Sequence, residues 1–156
     1  MSENINGQEV TGARPGKYLT FTLDGELYGV EIKKVREING MMPITRVPKT
    51  PDYVKGVINL RGMVIPVMEL RKKFGMPSAE TTKETCIIVL EITKDGASVN
   101  SGIIVDSVSD VVDIAQNELE NTPSFGSGIR TDYILGMAKS KSGVSILLDI
   151  DKALAG

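Results

Sequence analysis

Residues 54–70 read VKGVINLRGMVIPVMEL, from Val54 to Leu70, and this stretch decides how the chain is read. Val57 and Ile58, then Met63 to Met68, are β-branched or bulky, as half-buried strands require. Arg61-Gly62 between them predicts a two-residue hairpin loop, with Gly62 free to take positive φ. Asn59 reads as a buried amide. Pro66 lacks a ladder donor, which predicts an edge or a bend in the second strand. An arginine held at a rigid hairpin tip suits anchoring a partner better than catalysis.

Working outward, period-two patterning appears on both sides. Leu19, Phe21 and Leu23 alternate with Thr20 and Thr22, Asp24-Gly25 marks a turn, and Leu27 to Ile32 returns. Lys33 to Ile38 fits a helical turn or a bent strand equally well. Ile44 to Val47 predicts a short strand ended by Pro48, and Thr50-Pro51-Asp52 predicts one helical turn. Glu69 to Phe74 predicts a short helix stopped by Gly75. After a polar linker, Ser78 to Glu84, the plan recurs: a strand from Cys86 to Ile92, a turn at Asp95-Gly96, a strand from Val99 to Val105. Asp151 to Ala155 predicts a C-terminal helix.

The recurrence is a repeat. Gly29-Val30-Glu31-Ile32 aligns with Gly102-Ile103-Ile104-Val105 at a shift of 73 (102 − 29). Asp52-Tyr53-Val54-Lys55-Gly56 aligns with Asp132-Tyr133-Ile134-Leu135-Gly136 at a shift of 80 (132 − 52). Gly62 and Gly143 then head apolar runs that end at Leu70 and Ile150. The expectation is an all-β protein of two similar small barrels, residues 17–83 and 84–156, preceded by a disordered tail over residues 1–16. Units of about 70 residues are marginal alone, so the two should pack together.

Composition narrows the chemistry. A net charge of −2 and a pI near 5.3, with no Trp and seven other aromatics, argue against nucleic acid. No apolar run approaches the roughly 20 residues of a membrane helix, and residues 1–10 do not read as a signal peptide. A single cysteine allows no internal disulfide and fits a reducing, cytoplasmic compartment. Histidine is absent, which removes Ser-His-Asp and Cys-His catalysis and most zinc sites. Cys86 sits in an apolar strand without a nearby base and reads as a buried hydrophobe. Asp106, Asp110 and Asp113 lack calcium-loop spacing, and Gly126-Ser127-Gly128 has no lysine behind it as a phosphate loop would. No catalytic residue, metal ligand or cofactor is expected. Arg61 stands out as a charge between apolar strands, Glu37 as its acidic counterpart, and Phe125 as a large apolar residue in a polar loop.

The stretch GVINLRGMVIPV (Gly56–Val67) resembles the chemotaxis coupling protein family, CheW. The likeness extends through Tyr28–Ile32, Val35–Ile38, Gly102–Val111, Tyr133–Gly136 and Ile146–Ile150. It implies two five-stranded SH3-like barrels with a groove between them and a non-enzymatic adaptor. The implied partners are the cytoplasmic tips of chemoreceptors (methyl-accepting chemotaxis proteins) and the regulatory domain of the CheA histidine kinase, in arrays at the inner membrane. Carried over by position, Val35, Glu37, Asn59 and Arg61 would face the receptor as a helix lies in the groove, and Phe125 would contact a partner in array building. Two other readings remain open at this point: the same fold serving a non-chemotactic receptor and kinase, and a small ligand-binding barrel.

Overall fold

The computed structural model describes residues 12–128, 130–140 and 143–155. It holds eleven strands: β1 (Gly16–Leu23), β2 (Glu26–Glu31), β3 (Val35–Gly40), β4 (Val54–Leu60), β5 (Met63–Glu69), β6 (Cys86–Lys94), β7 (Ala97–Val105), β8 (Ser107–Ile114), β9 (Leu119–Glu120), β10 (Ile134–Ser140) and β11 (Gly143–Leu148). Two one-turn helices, α1 (Leu70–Lys73) and α2 (Ile150–Ala153), follow β5 and β11. The fold is all-β: two SH3-like barrels packed against each other.

The two sheets do not follow the two sequence repeats. One runs β8-β1-β2-β11-β10-β9, where β9 is only two residues long; the other runs β3-β6-β7-β5-β4. The leading hairpin of each repeat, β1–β2 or β6–β7, sits in the sheet built by the rest of the other repeat. Each joins its host by an antiparallel pairing on one side, β1 on β8 or β6 on β3, and by a short parallel pairing on the other, Tyr28 and Gly29 beside Ile146 and Leu147, and Gly102 to Ile104 beside Val67 to Glu69. The repeat-matched Gly29 and Gly102 lie at these joins. A Cβ on Gly29 would stand 2.9 Å from the Leu147 side chain, and one on Gly102 3.0 Å from that of Ile87.

Local chemistry accounts for the hairpins. Asp24-Gly25, Arg61-Gly62 and Asp95-Gly96 all take positive φ at both positions (52° and 81°, 52° and 86°, 52° and 78°), the type I′ turn whose twist matches the strands it joins. Gly56 and Gly136, matched by the repeat, mark register shifts in β4–β5 and β10–β11. The ambiguous Lys33–Ile38 stretch is both things in turn, a 3₁₀ turn at Ile32–Lys34 and then β3. Gly75, at φ 76°, stops α1 as expected.

Several expectations differ. Ile44–Val47 is no strand: only Thr45 pairs, donating to and accepting from Val57 at 2.9 Å each way. Pro43 and Pro48 flank this stretch and supply no ladder donors at either end. Thr50-Pro51-Asp52 opens a turn, closed by Val54 N–H to Pro51 C=O at 3.0 Å, and not a helix. Pro66 is not on an outer strand, since β5 lies between β7 and β4; it sits just before the β7 ladder begins at Val67, where no donor is needed. Of the expected tail, residues 1–11 lie outside the described residues. Ala13 packs into a barrel core, and the Tyr18 hydroxyl donates to the Arg14 carbonyl at 2.6 Å.

Three cores result. Tyr18, Ile114, Leu119 and Leu147 fill one barrel; Ile58, Ile65, Val67, Ile87 and Val89 fill the other. The largest cluster lies between the sheets: fifteen buried residues from both, including Phe21, Tyr28, Ile88, Leu90, Ile103 and Leu148. Strand β6 serves two of the cores, with Ile87 and Val89 facing its own barrel and Ile88, Leu90 and Ile92 facing the interface.

Candidate functional site

Barrel closure positions the site. Strands β3 and β4 are the two edges of their sheet, and the connection between them returns to β4 through Thr45 and Val57. Glu37 lies on β3, and Arg61 lies at the tip of the β4–β5 hairpin. Their side chains meet across the seam: Arg61 Nη1 donates to Glu37 Oε2 at 3.0 Å, and Nη2 donates to Oε1. The hydrogen bonds from Arg61 hold the Glu37 carboxyl below the usual carboxylate range, and pairing with Glu37 raises the already high value of Arg61. Arg61 remains 71% exposed while Glu37 is 24% exposed, so the clasp presents a guanidinium to solvent over a carboxylate set behind it.

Asn59 is exposed and not buried as its apolar surroundings suggested. It faces outward on β4, and its Oδ1 accepts from the Gly62 N–H at 2.9 Å, fixing the turn that holds Arg61. Val35 does not join the clasp. It precedes a register shift in β3, pairs with Leu90, and packs half-buried against the core between the sheets. The structure thus unites Glu37, Asn59 and Arg61 and leaves Val35 on the inter-sheet side of the same strand. Phe125 stands apart in the loop between β9 and β10, 56% exposed.

Exposed apolar residues adjacent in sequence to the clasp were missed from the sequence. Met63 (52%) and Val64 (72%) directly follow the tip, and Ile38 (44%) directly follows Glu37. The signal was available in the hairpin's alternation. Ile58, Ile65 and Val67 point into the barrel, which turns Val64 outward with its cross-strand partner Asn59. Cys86 is half-buried, its thiol donating to the Glu84 carbonyl at 3.2 Å. Among the described residues no group of three or more Cys, Asp and Glu side chains is placed to hold a metal.

Residues 17–156 match the model of the CheW-like domain. This chain belongs to the CheW-like family. The chain is 40% identical over 139 residues to chemotaxis protein CheW of Klebsiella aerogenes, covering 89% of this chain and 81% of that one. To chemotaxis protein CheW of Thermotoga maritima it is 36% identical over 139 residues, 87% and 85% of the two chains. In three dimensions it resembles the crystal structure of the scaffolding protein TtCheW from Thermoanaerobacter tengcongensis, with a TM-score of 0.79 at 36% identity over 92% of this chain and 94% of that one.

The internal repeat supplies a control for the clasp. The position matching Arg61 in the second repeat is Ser142, at a shift of 81 (143 − 62 for the adjacent glycines). The position matching Glu37 is Asp110, whose backbone N–H and C=O both bond the Thr20 hydroxyl, at 3.1 and 2.8 Å. One barrel of this chain is therefore encoded without the arginine. The Arg61–Glu37 pair is a property of one surface, not a requirement of the fold.

Proposed function

We propose that this chain is a non-enzymatic adaptor of bacterial chemotaxis, coupling the cytoplasmic tip of a chemoreceptor to the regulatory domain of a CheA-type histidine kinase within receptor arrays at the inner membrane. The observation that carries the receptor half is the clasp. An exposed guanidinium is held at a rigid hairpin tip, backed by Glu37, with Ile38, Met63 and Val64 exposed beside the pair in sequence. A receptor helix laid along this surface would place apolar side chains on those residues and an acidic or carbonyl oxygen on Arg61. Val35 extends the surface toward the groove between the barrels, and Asn59 holds the tip in place. Phe125, exposed on a loop at the other end of the chain, is assigned to the kinase or array contact, so that two partners meet separate surfaces. Both barrel interiors are filled by side chains, which favours a surface-binding protein over a ligand-binding barrel. Among the described residues no helix is long and apolar enough to cross a membrane, and array association would come through the partners.

Two titrations test this, one with a receptor signalling-tip fragment and one with the kinase regulatory domain. Arg61→Ala should weaken receptor binding about ten-fold or more, as loss of a charged hydrogen bond does. Arg61→Glu should weaken it further by adding repulsion. Kinase binding should survive both changes and fall with Phe125→Ala. Equal loss of both partners in the Arg61 variants, or receptor binding indifferent to Arg61, would overturn the assignment.

A further inference from the structure

Away from the clasp, the turn after Thr45 forms the wall of an open cleft of about 500 Å³ beside strands β4 and β5. Arg46, Lys49 and Lys72 line it, each from a different element: the residue after the Thr45–Val57 bridge, the following turn, and α1. None of the three has an ion-pair or hydrogen-bond partner for its charged group among the described residues. Lys55 adds a fourth cation, 3.9 Å from Glu69. Asp52 and Glu69 are the acids of the lining, so the cleft carries a net charge of +2 (4 − 2) in a chain whose own net charge is −2.

The rim is built, not loose. Lys49 takes φ 63°, a left-handed conformation uncommon for a lysine, and the Thr50 hydroxyl donates to the Val47 carbonyl at 2.8 Å across that turn. Val47, 40% exposed, and the rings of Pro48 and Pro51 give the same wall an apolar surface. Pro48 and Pro51 carry no N–H and so offer no backbone donor to an anion at this wall.

The geometry points to a docking site for an acidic, extended segment of a partner protein: carboxylates spaced along the segment reach the separate cations, and a small apolar side chain between them rests on Val47 and the prolines. A compact anion such as phosphate would engage one or two of these cations and leave the apolar wall unused. A peptide with alternating charge and aliphatic character uses both. This surface is distinct from the Arg61 clasp, and its assignment does not depend on the receptor reading.

The test is an NMR titration of the full chain with a capped pentapeptide, Glu-Val-Glu-Val-Glu, against its lysine counterpart and against inorganic pyrophosphate. Saturable amide shifts confined to residues 46–55 and α1 are expected from the acidic peptide alone. Arg46→Glu combined with Lys49→Glu should weaken binding at least ten-fold. Lys17→Ala, which removes a cation paired to Asp113 elsewhere, should leave it unchanged. Raising salt from ~50 to ~300 mM should weaken binding several-fold, since exposed charges are screened within a few ångströms at that strength. No saturable shift up to about 5 mM peptide, a dissociation constant too weak for a docking site, would overturn the proposal. So would equal binding by the lysine peptide, indifference to the charge reversal, or tighter binding of pyrophosphate at the same residues.

Discussion

Arg71 grips Asp106 with two hydrogen bonds, Nε to Oδ1 at 2.8 Å and Nη2 to Oδ2 at 2.6 Å, where the chain crosses from one sheet to the other. Asp106 lies between β7 of the second sheet and β8 of the first. The same carboxylate accepts from the Asp24 N–H in the β1–β2 turn at 2.8 Å, and Arg71 also donates to the Pro77 carbonyl at 3.1 Å. One ion pair thus ties α1, the crossover and a hairpin of the opposite sheet together. Arg71 is only 15% exposed, so this is not a loose surface pair.

The pair predicts a pH dependence. Bonding to Arg71 holds the Asp106 carboxyl below its ordinary value of 3.8. The folded state therefore favours the ionised form, and the contribution is full above the unfolded value. It is lost as pH falls below that value and through the lowered folded one. Asp106→Asn should cost about 2 kcal/mol at neutral pH, as loss of hydrogen bonds between charged groups does. The gap to wild type should close as unfolding is measured at successively lower pH, below about 4. A gap that stays constant down to pH 3 would mean that the charge of Asp106 is immaterial.

The hairpin exchange predicts that neither repeat folds alone. A fragment ending at Lys83 would keep β1–β2 without β8 and β11, and β5 without β7. It would also expose much of the fifteen-residue core between the sheets. At about 2 kcal/mol for each large buried side chain, exposing half a dozen already consumes a net stability of about 5–15 kcal/mol. The fragment should give collapsed, poorly dispersed NMR spectra. A dispersed spectrum with cooperative unfolding would show that the β1–β2 hairpin can find another partner.

How much of this was legible beforehand depends on the range of the interaction. The three two-residue turns and the stop of α1 at Gly75 are written in residues adjacent in sequence, and they were read correctly. The exchange of β1–β2 and β6–β7 was not, because period-two patterning reports which face of a strand is buried and says nothing of which distant strand it pairs with. Val57 shows the same limit at a single residue. Its partner Thr45 lies across an irregular loop, so Ile44–Val47 looked like a strand where one bridge exists. At the site, Arg61 and its acidic counterpart Glu37 were both singled out, but not their contact. Their contact depends on barrel closure, which joins the two edges of one sheet. The outward turn of Asn59 and Val64 follows from the register of β4 on β5, set in part by the shift at Gly56.

Gly56 should be far less replaceable than Gly62, though both take positive φ. A Cβ on Gly56 would stand 2.1 Å from the Thr45 carbonyl oxygen, inside the bridge that closes the barrel, whereas nothing lies within 4 Å of one on Gly62. Gly62→Ala should cost about 1 kcal/mol, the conformational penalty alone. Gly56→Ala adds a clash that only loss of the Thr45–Val57 bridge can relieve, and should cost about 3 kcal/mol or more. Urea denaturation of the two variants decides it. Similar midpoints would mean that the Thr45 loop yields freely and does not close the barrel.

Exchanging the charges of the clasp separates its two roles. In Glu37→Arg/Arg61→Glu the attraction across the seam persists with its polarity reversed, so barrel closure and melting temperature should stay near wild type. The surface offered to a partner changes sign: a carboxylate now stands at the exposed tip where the guanidinium stood, with the cation set behind it. If the pair served only to close the barrel, the double variant would bind a receptor signalling-tip fragment as wild type does, and each single variant would be the worse behaved in stability. If the exposed guanidinium is the recognition element, the double variant should bind no better than Arg61→Glu alone, a loss of well over ten-fold for repulsion added to a missing charged bond. Its fold would remain intact. Calorimetric melting and a receptor titration on the same preparations distinguish the two, and recovery of receptor binding in the double variant would reduce the clasp to a closure device.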